Sequence, residues 1–360
     1  MQVTTIGLDI AKNVFQIHGV DGKGRVVLRK RVRRSQLTDF FANVPVSVVG
    51  MEATRGAHFW ARVLGTFGHT VRLIAPQFVK PYLKHGAKND ANDAAAICEA
   101  VSRPHMRFVP QKTIAQQDLQ CIHRVRSRLI SCRTQLCNQI RGLLSEYGIE
   151  IPQHISQVRK ALVQVTEEAE ARLSVSAKTL FAQLYEELCA LDERIDEWEA
   201  RVVQAFRHDP LCQKIGEVEG IGPVTATAVV AAIANGSTFD NGRQFAAWLG
   251  LVPRQHSSGE KQRLLGITKR GDPYVRTLLI HGARSVVFRS PNKSDARSRW
   301  ISEKTKKLGV TKACVAVANK NARIIWALLA KSGPEGDDPQ LRGRIYARSL
   351  TMTSERNLLQ

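Results

Sequence analysis

The sequence predicts an α/β domain at the N-terminus, then long coiled-coil helices, then a mainly α-helical domain. Three observations lead to this prediction. Short apolar strands alternate with helical segments over about the first hundred residues, apolar residues then recur at heptad spacing, and the remainder holds helical segments separated by glycine- and proline-containing turns. A chain of 360 residues is long enough for two or three domains, each with its own core.

The first predicted strand lies within residues 4–13, TTIGLDIAKN, where Ile6, Leu8 and Ile10 alternate with smaller or polar residues. Asp9 stands at the centre of this stretch. A carboxylate is costly to bury unless a cation meets it. We therefore expect Asp9 either to have a function or to lie at the exposed end of the strand.

The elements that follow are predicted from their apolar patterns and turn residues. Strands two and three form a hairpin, because the glycines of the Asp21–Gly24 turn readily adopt positive φ angles. The predicted segments are strands at 14–20 and 25–32, a helix at 35–43 capped by Ser35, a strand at 46–51, a helix at 56–67 and a strand at 70–74. A three-stranded hairpin followed by alternating helix and strand is the element order of the ribonuclease-H-like fold.

Three further acids are candidate partners of Asp9. In that fold the acid on strand one faces the acid at the end of strand four, here Glu52, and a later helix supplies more. Asp90 and Asp93 are three residues apart and share one face of a helix at 92–101 or just before it. Clustered carboxylates need a divalent cation to neutralise them, and two Mg²⁺ ions roughly 3.5–4 Å apart assist phosphodiester displacement. Alternatively, Asp90 and Asp93 only stabilise a helix N-terminus.

The middle of the chain carries two helical patterns, at about 113–147 and 178–206. Both show a heptad repeat, which predicts antiparallel or dimeric coiled-coil helices. The repeats consist of Ile122, Leu129, Leu136 and Leu143 in the first, and of Phe181, Leu184, Leu188, Leu191, Ile195, Trp198 and Val202 in the second. Pro152 and a polar stretch separate the two. We expect Arg124, Arg126 and Arg128 to bind nucleic acid, unless they only form a solvated face.

From Leu211 a third unit begins, with helices predicted at 224–234, 245–249 and 272–287. The turn at 218–223, VEGIGP, resembles a helix-hairpin-helix turn whose amides can face a phosphate, but tight helix packing explains it equally well. A loop at 254–266 follows, and its surroundings are basic. The expected nucleic-acid ligands here are Arg254, Lys261, Arg263, Lys269 and Arg270.

Ser257 and Ser258 lie in this loop, directly before Gly259. A serine nucleophile requires an activated hydroxyl and groups that stabilise charge on the phosphate. His256 and the neighbouring basic residues could supply both, although a serine beside a glycine is usually only part of a loop. Residue types and spacing alone therefore leave the role of these serines open.

The net charge, the cysteine pattern and the lengths of the apolar runs limit the classes of function that this protein can have. The formal net charge of +21 indicates a polyanionic partner, nucleic acid before an acidic membrane. The seven cysteines include no CxxC pair, so neither a zinc site nor a disulfide framework is expected. There is no apolar run of about 18 residues and no basic, cleavable N-terminus. We expect a cytoplasmic, nucleoid-associated protein.

The chain resembles the DEDD transposases of bacterial insertion sequences over nearly its whole length, to about residue 330. Four blocks carry the resemblance: GLDIAKNVFQIHGVD, MEATRGAHFWARVL, VRLIAPQFVKPYLKHGAKNDANDAAAI and GLVPRQHSSGEKQRLLGITKRGDPYVRTLLIHGAR. The four acids of the family correspond to Asp9, Glu52, Asp90 and Asp93. Its serine corresponds to Ser258, with Ser257 as the fallback.

The resemblance implies a recombinase that excises and inserts its own element. A structured non-coding RNA, the bridge RNA, pairs with donor and target DNA. The serine forms a covalent phosphoserine link while the acids bind Mg²⁺, and strand exchange passes through a Holliday-junction-like intermediate. RuvC-like and transposase domains of different subunits make a composite site, so dimers join into a tetramer. The implied domains are RuvC-like (1–110), coiled-coil (111–209), transposase (210–332) and a polar tail (333–360).

Two other functions are compatible with the same residues. One is a RuvC-like, metal-dependent nuclease that cuts branched DNA by water attack without a covalent intermediate. The other is a non-catalytic nucleic-acid-binding protein whose acids only cap helices. Loss of a covalent DNA adduct on serine substitution separates the recombinase from the nuclease, and binding without cleavage indicates the third function.

Overall fold

A computed structural model describes residues 2–83, 90–167, 173–234, 236, 238–258 and 261–330, and gives the backbone alone for residues 90, 166–167 and 261–262. The chain divides into two compact units, Met1–Thr113 and Ile114–Gln360. The first is an α/β unit and the second is mostly helical. The predicted boundaries within the second unit stay predictions, and the polar tail lies outside the described residues.

The first unit is built on a six-stranded sheet in the order β3-β2-β1-β4-β5-β6. Its strands are β1 (Thr5–Asp9), β2 (Val14–Val20), β3 (Val26–Arg33), β4 (Val48–Glu52), β5 (Thr70–Ile74) and β6 (Phe108–Val109). β1, β4 and β5 are parallel, whereas β2, β3 and β6 each run antiparallel to a neighbour. The predicted strands at 14–20 and 70–74 are confirmed to the residue.

Helices cover both faces of this sheet. They are α1 (Leu37–Ala42), α2 (Ala57–Thr66), α3 (Pro76–Val79) and α4 (Asp90–Val101), with 3₁₀ turns at Arg34–Gln36 and Lys80–Tyr82. Phe15 and Ile17 of β2 pack with α1 and α2 in one core, and α4 packs on β1, β2 and β4. The predicted cap Ser35 is wrong: it lies in the 3₁₀ turn, and α1 begins after Gln36 without a side-chain cap.

The second unit begins with three helices, α5 (Ile114–Ser145), α6 (Ile155–Glu167) and α7 (Val175–His208). Arg126 pairs with Glu199 and Arg133 with Asp192, so a step of seven residues forward on α5 corresponds to seven back on α7. The two helices therefore pack antiparallel within one chain. The predicted heptad residues of α7 are buried or packed in this core, together with those of α5 from Leu129 onward.

One expectation for this region is wrong, and for another the structure decides between two alternatives. The stretch after Pro152 was expected to be only a polar break, but α6 forms there because Val158, Leu162 and Val165 recur at helical spacing and are buried. The heptad pattern of α7 allowed either an antiparallel helix of the same chain or a helix of a second chain as its partner. In the structure, α5 and α6 of the same chain cover the apolar residues of α7.

The rest of the second unit packs around α13. Its elements are α8 (Pro210–Gly216), α9 (Pro223–Ile233), α10 (Gly242–Trp248), β7 (Pro253–Ser258), β8 (Lys261–Ile267), α11 (Pro273–Arg289), a 3₁₀ turn at Ser290–Asn292, α12 (Ala296–Leu308) and α13 (Val310–Ala330). In the described part of the chain, α13 alone is long and apolar enough to cross a membrane. However, 61% of its apolar window is buried within the protein, as in a core helix.

The predicted loop at 254–266 is instead a two-stranded hairpin, β7–β8. Its register pairs Ser258 with Lys261, and only residues 259 and 260 separate them in the sequence. These two residues lie outside the described part of the chain. All six residues of β7 are exposed, so inter-strand hydrogen bonds rather than a buried face define the hairpin.

Candidate active site

Two of the predicted acids lie at the same end of the sheet. Asp9 is the last residue of β1 and Glu52 is the last residue of β4. The two strands are parallel neighbours, and their register pairs Leu8 with Met51, the residues directly before the acids. Because the carboxyl ends of parallel strands meet at one sheet edge, the two carboxylates lie side by side.

Two glycines bring α4 close to this edge. A Cβ atom on Gly7 would lie 2.1 Å from the carbonyl oxygen of Ala94, and one on Gly50 would lie 2.8 Å from Cβ of Val101. Each glycine stands two residues before an acid, on the same face of its strand. The helix can therefore lie directly on β1 and β4, which positions its first turn, with Asp93, beside Asp9 and Glu52. Sequence reasoning missed both glycines, although the Gly-x-acid spacing was visible.

The electrostatics of Glu52 show that three acids share this site. Burial raises the pKa of Glu52, and the negative charges of Asp9 and Asp93 raise it further. Each of the three side chains is partly accessible to solvent. Asp90 begins the same helix, but its side chain lies outside the described residues. The structure thus brings together three of the four predicted acids.

An all-carboxylate site suits a hard divalent cation, because Mg²⁺ prefers oxygen ligands. Among the described residues, no three His, Cys, Asp or Glu side chains already stand at metal-binding distances. The repulsion that raises the pKa of Glu52 is what a bound cation would relieve. The residues therefore fit a divalent metal.

The two candidate serines lie on opposite faces of the β7–β8 hairpin. Side chains alternate along a strand, and directly paired residues share a face. Ser258 thus shares its face with His256 and with Arg263, which pairs with His256. Ser257 faces the other way, and its hydroxyl accepts a hydrogen bond of 2.8 Å from Nε2 of Gln255.

The predicted nucleic-acid ligands separate into two groups. Most are exposed, namely Arg124 and Arg128 on α5 and Arg254, Arg263, Lys269 and Arg270 in or beside the hairpin. Arg126 differs, because its side chain is largely buried and paired with Glu199. The side chain of Lys261 lies outside the described residues.

A buried histidine that sequence reasoning missed links α5 to the elements around the hairpin. His123 lies 3.0 Å from the hydroxyl of Thr227 through Nε2 and 3.0 Å from that of Tyr274 through Nδ1. The Thr227 hydroxyl donates to the carbonyl of Pro223, so it accepts from Nε2–H and leaves Nδ1 to accept from Tyr274. Burial, with Arg126 nearby, lowers the pKa of His123 to about 4. A lone histidine in a helical pattern carries no signal of such a network.

The turn that resembles a helix-hairpin-helix motif is packed against α11. Gly220 has a φ of +87°, and a Cβ atom there would lie 2.7 Å from the carbonyl oxygen of Gly282. A Cβ atom on Gly282 would in turn lie 1.9 Å from the carbonyl oxygen of Gly220. Close backbone packing, the alternative left open by the sequence, therefore accounts for Gly220.

Comparisons with known proteins find two family models that match this chain. Residues 212–299 match a family model described as "Transposase IS116/IS110/IS902 family", and residues 6–149 match a model of DEDD type described as "Transposase". A "Probable family 20 transposase" of Pseudomonas aeruginosa is 52% identical over 92% of this chain and 98% of its own length.

Two further relatives are transposases by name. The "Transposase for insertion sequence element IS1111A" of Coxiella burnetii is 44% identical, with 91% of this chain and 90% of the relative covered. The "Transposase for insertion sequence element IS1328" of Yersinia enterocolitica is 40% identical, with 91% and 96% covered.

Proposed function

This chain belongs to the IS116/IS110/IS902 family of insertion-sequence transposases, which act on DNA as recombinases, and from this premise we propose its mechanism. The protein is an RNA-guided DNA recombinase that cuts and rejoins DNA with a serine nucleophile beside carboxylates that bind Mg²⁺. The observation that carries the proposal is the convergence of Asp9, Glu52 and Asp93 at one end of the sheet.

The N-terminal unit is a ribonuclease-H-like domain of the RuvC type. The strand order β3-β2-β1-β4-β5, with antiparallel strands first and parallel strands after, supports this assignment. The acids lie at the carboxyl ends of β1 and β4, with α4 across them, as we expected from the sequence. Sheet edges of this kind commonly hold the chemistry of α/β folds.

Asp9, Glu52, Asp90 and Asp93 would hold the Mg²⁺ ions. When bound, the metal supplies positive charge to the phosphate and to the attacking and leaving oxygens. The carboxylates would fix the position of the cations. Cation binding would be favourable because it relieves the mutual repulsion of the carboxylates.

Ser258 is the nucleophile. Its hydroxyl oxygen attacks phosphorus, the bond from phosphorus to the leaving deoxyribose oxygen breaks, and that oxygen takes up a proton. His256, on the same hairpin face, can accept the serine proton, and Arg263 can stabilise the charge on the phosphate. The Ser257 hydroxyl is engaged by Gln255 on the opposite face, which favours Ser258.

The partners are donor and target DNA, a bridge RNA and further copies of this chain. The net charge of +21 and the exposed arginines of α5 and of the hairpin support binding of several phosphate backbones at once. Because the family resemblance assigns the acids and the serine of one site to different subunits, we propose that the active assembly is a tetramer of two dimers.

Covalent trapping tests the serine. The wild-type protein, incubated with bridge RNA, Mg²⁺ and nicked target DNA, should form an adduct that survives denaturing electrophoresis. Ser258→Ala should abolish the adduct, and Ser257→Ala, the matched control, should retain most of it. Metal-dependent cleavage that persists in Ser258→Ala would identify a nuclease that uses water instead. Binding of DNA and RNA without cleavage by the wild type would identify a non-catalytic protein.

A further inference from the structure

We propose that a groove between α4 and the β2–β3 hairpin binds the single DNA strand that leads into the carboxylate site. This inference rests on the proposed function and assigns a substrate track to the same unit. The groove has a volume of about 870 Å³. Six of its lining residues carry the argument: Gln16, His18, Arg29, Arg31, Asn92 and Glu99.

The groove exists because α4 covers only part of the sheet. Gly7 and Gly50 let the helix lie directly over β1 and β4, where no other residue leaves enough room. The helix also packs on β2, whereas on the outer strand β3 the side chains of that face, Arg29 and Arg31, stay exposed among the described residues. Phe15 and Ile17 of β2 point into the core on the opposite side, so Gln16 and His18 form the floor of the groove.

The strand register connects this floor to the candidate active site. Asp9 pairs with Gln16, and Gln16 pairs with Arg31, so the three side chains lie in one row across the sheet. Arg31 is two strands from Asp9, a distance of about 10 Å at a strand spacing of about 4.8 Å. On the opposite wall Asn92 directly precedes Asp93. The groove therefore ends at the carboxylates.

The charge of the groove favours a phosphate backbone. Arg29 and Arg31 are exposed, and neither forms an ion pair with any carboxylate that the structure describes. The lining carboxylate Glu99 is already paired with Arg103. Lys30, between the two arginines, points to the other face, where its ammonium lies 5.0 Å from the ring centre of Phe40. A strand bound here would thus meet two uncompensated guanidinium groups.

The dimensions select a single strand. The floor spans β2 and β3, about 10 Å across, whereas the major groove of B-DNA alone is about 12 Å wide. A duplex therefore does not fit, but one strand can lie along β3 with its phosphates on Arg29 and Arg31 and then cross Gln16 toward Asp9. The next phosphate toward Asp9 is then the one presented for cleavage. Grooves with positive charge along their length bind single strands through the backbone.

Photo-crosslinking of the full-length protein without metal tests the groove directly. A short single-stranded DNA containing 4-thiothymine is irradiated with the protein, and the modified residues are identified by mass spectrometry. Crosslinks should include Gln16, His18 or Asn92, and an Asp9→Asn variant should retain them. Crosslinks confined to other parts of the chain would overturn the proposal, as would a same-sequence RNA that labels the groove more strongly than DNA does.

Salt dependence of single-strand affinity supplies the second measurement. Arg29→Ala and Arg31→Ala should each reduce the slope of log affinity against log salt by about 0.7. Lys30→Ala, the matched control on the same strand, should leave the slope unchanged, and duplex affinity should not depend on Arg29 or Arg31. Unchanged slopes in both arginine variants would contradict the proposal.

The two proposals fail separately. If the Ser258-dependent DNA adduct forms but no groove residue is crosslinked, only the proposal for the groove is contradicted. If groove residues are crosslinked but no serine adduct forms, the groove is still a single-strand binding site, and the proposed recombinase mechanism is contradicted.

Discussion

Glu52 lies beside Asp9 at the ends of two parallel strands, and its pKa is raised by burial and further by the negative charges of Asp9 and Asp93. An acid whose pKa is raised by folding stabilises the folded protein below its unfolded pKa, and this stability is lost as the pH rises through the folded pKa. At neutral pH the metal-free site is therefore a source of instability that a cation can remove.

The first prediction is that Mg²⁺ stabilises the wild type through this site. At 100 times the dissociation constant the gain is about 2.7 kcal/mol. Asp9→Asn and Glu52→Gln should abolish it, and Glu52→Gln should stabilise the metal-free protein by less than about 1 kcal/mol, because the side chain is partly exposed. Thermal unfolding with and without Mg²⁺ measures both effects. Asp39→Asn, an exposed acid on α1, is the control, and equal stabilisation of all variants would exclude this metal site.

The second prediction concerns the contact between Gly7 and α4. Gly7→Ala places a methyl group against the Ala94 carbonyl, so the helix must shift. We expect a loss of about 2–3 kcal/mol in the free energy of unfolding, together with loss of the Mg²⁺ effect, since Asp93 moves with the helix. Gly65→Ala in α2, where nothing lies within 4 Å, should be neutral or stabilising by up to about 1 kcal/mol. Denaturant titration compares the two, and an equally mild effect at Gly7 would contradict the packing.

The third prediction separates the arginines of α5. Arg124→Ala and Arg128→Ala should each reduce the salt slope of duplex DNA binding by about 0.9 if they contact phosphates. Arg126→Ala should leave the slope nearly unchanged and lower the free energy of unfolding by about 1 kcal/mol, because Glu199 loses its partner. Filter binding over a salt series and urea unfolding provide the data. The reverse pattern would mean that Arg126 leaves Glu199 to bind DNA.

The fourth prediction is a pH dependence that arises from His123. Its folded pKa of about 4 lies below the usual value near 6.5, so the unfolded chain binds the proton more readily. Stability should fall by about 3 kcal/mol as the pH drops from 7 toward 4. His123→Gln should be less stable at pH 7 and show a flatter profile, whereas His281→Gln, on the exposed side of α11, should follow the wild type. A steep profile in His123→Gln would assign the effect to other groups.

Sequence patterns predicted β1, β2 and β4 well, because these strands bury one face or both, whereas β6, which has no buried residue, was missed. The alternation in β2 and the apolar run that ends at Glu52 follow directly from that burial. The polar hairpin β7–β8 has no buried face, so no periodicity distinguished it from a loop. The helix α6 was missed although Val158, Leu162 and Val165 recur at helical spacing, because the segment after Pro152 was interpreted as a polar break between two longer helices.

By itself the sequence determined the family, the basic charge, the order of the elements along the first unit as far as β5 and the positions of the candidate acids. It could not decide which helix covers the heptad seam, because an a/d pattern is the same for a partner in the same chain and one in another. Only the tertiary structure paired α5 with α7, set Ser258 on the face of His256 and Arg263, and left Arg31 facing an open groove. These outcomes depend on register and on close backbone approach, which arise between segments distant in the chain.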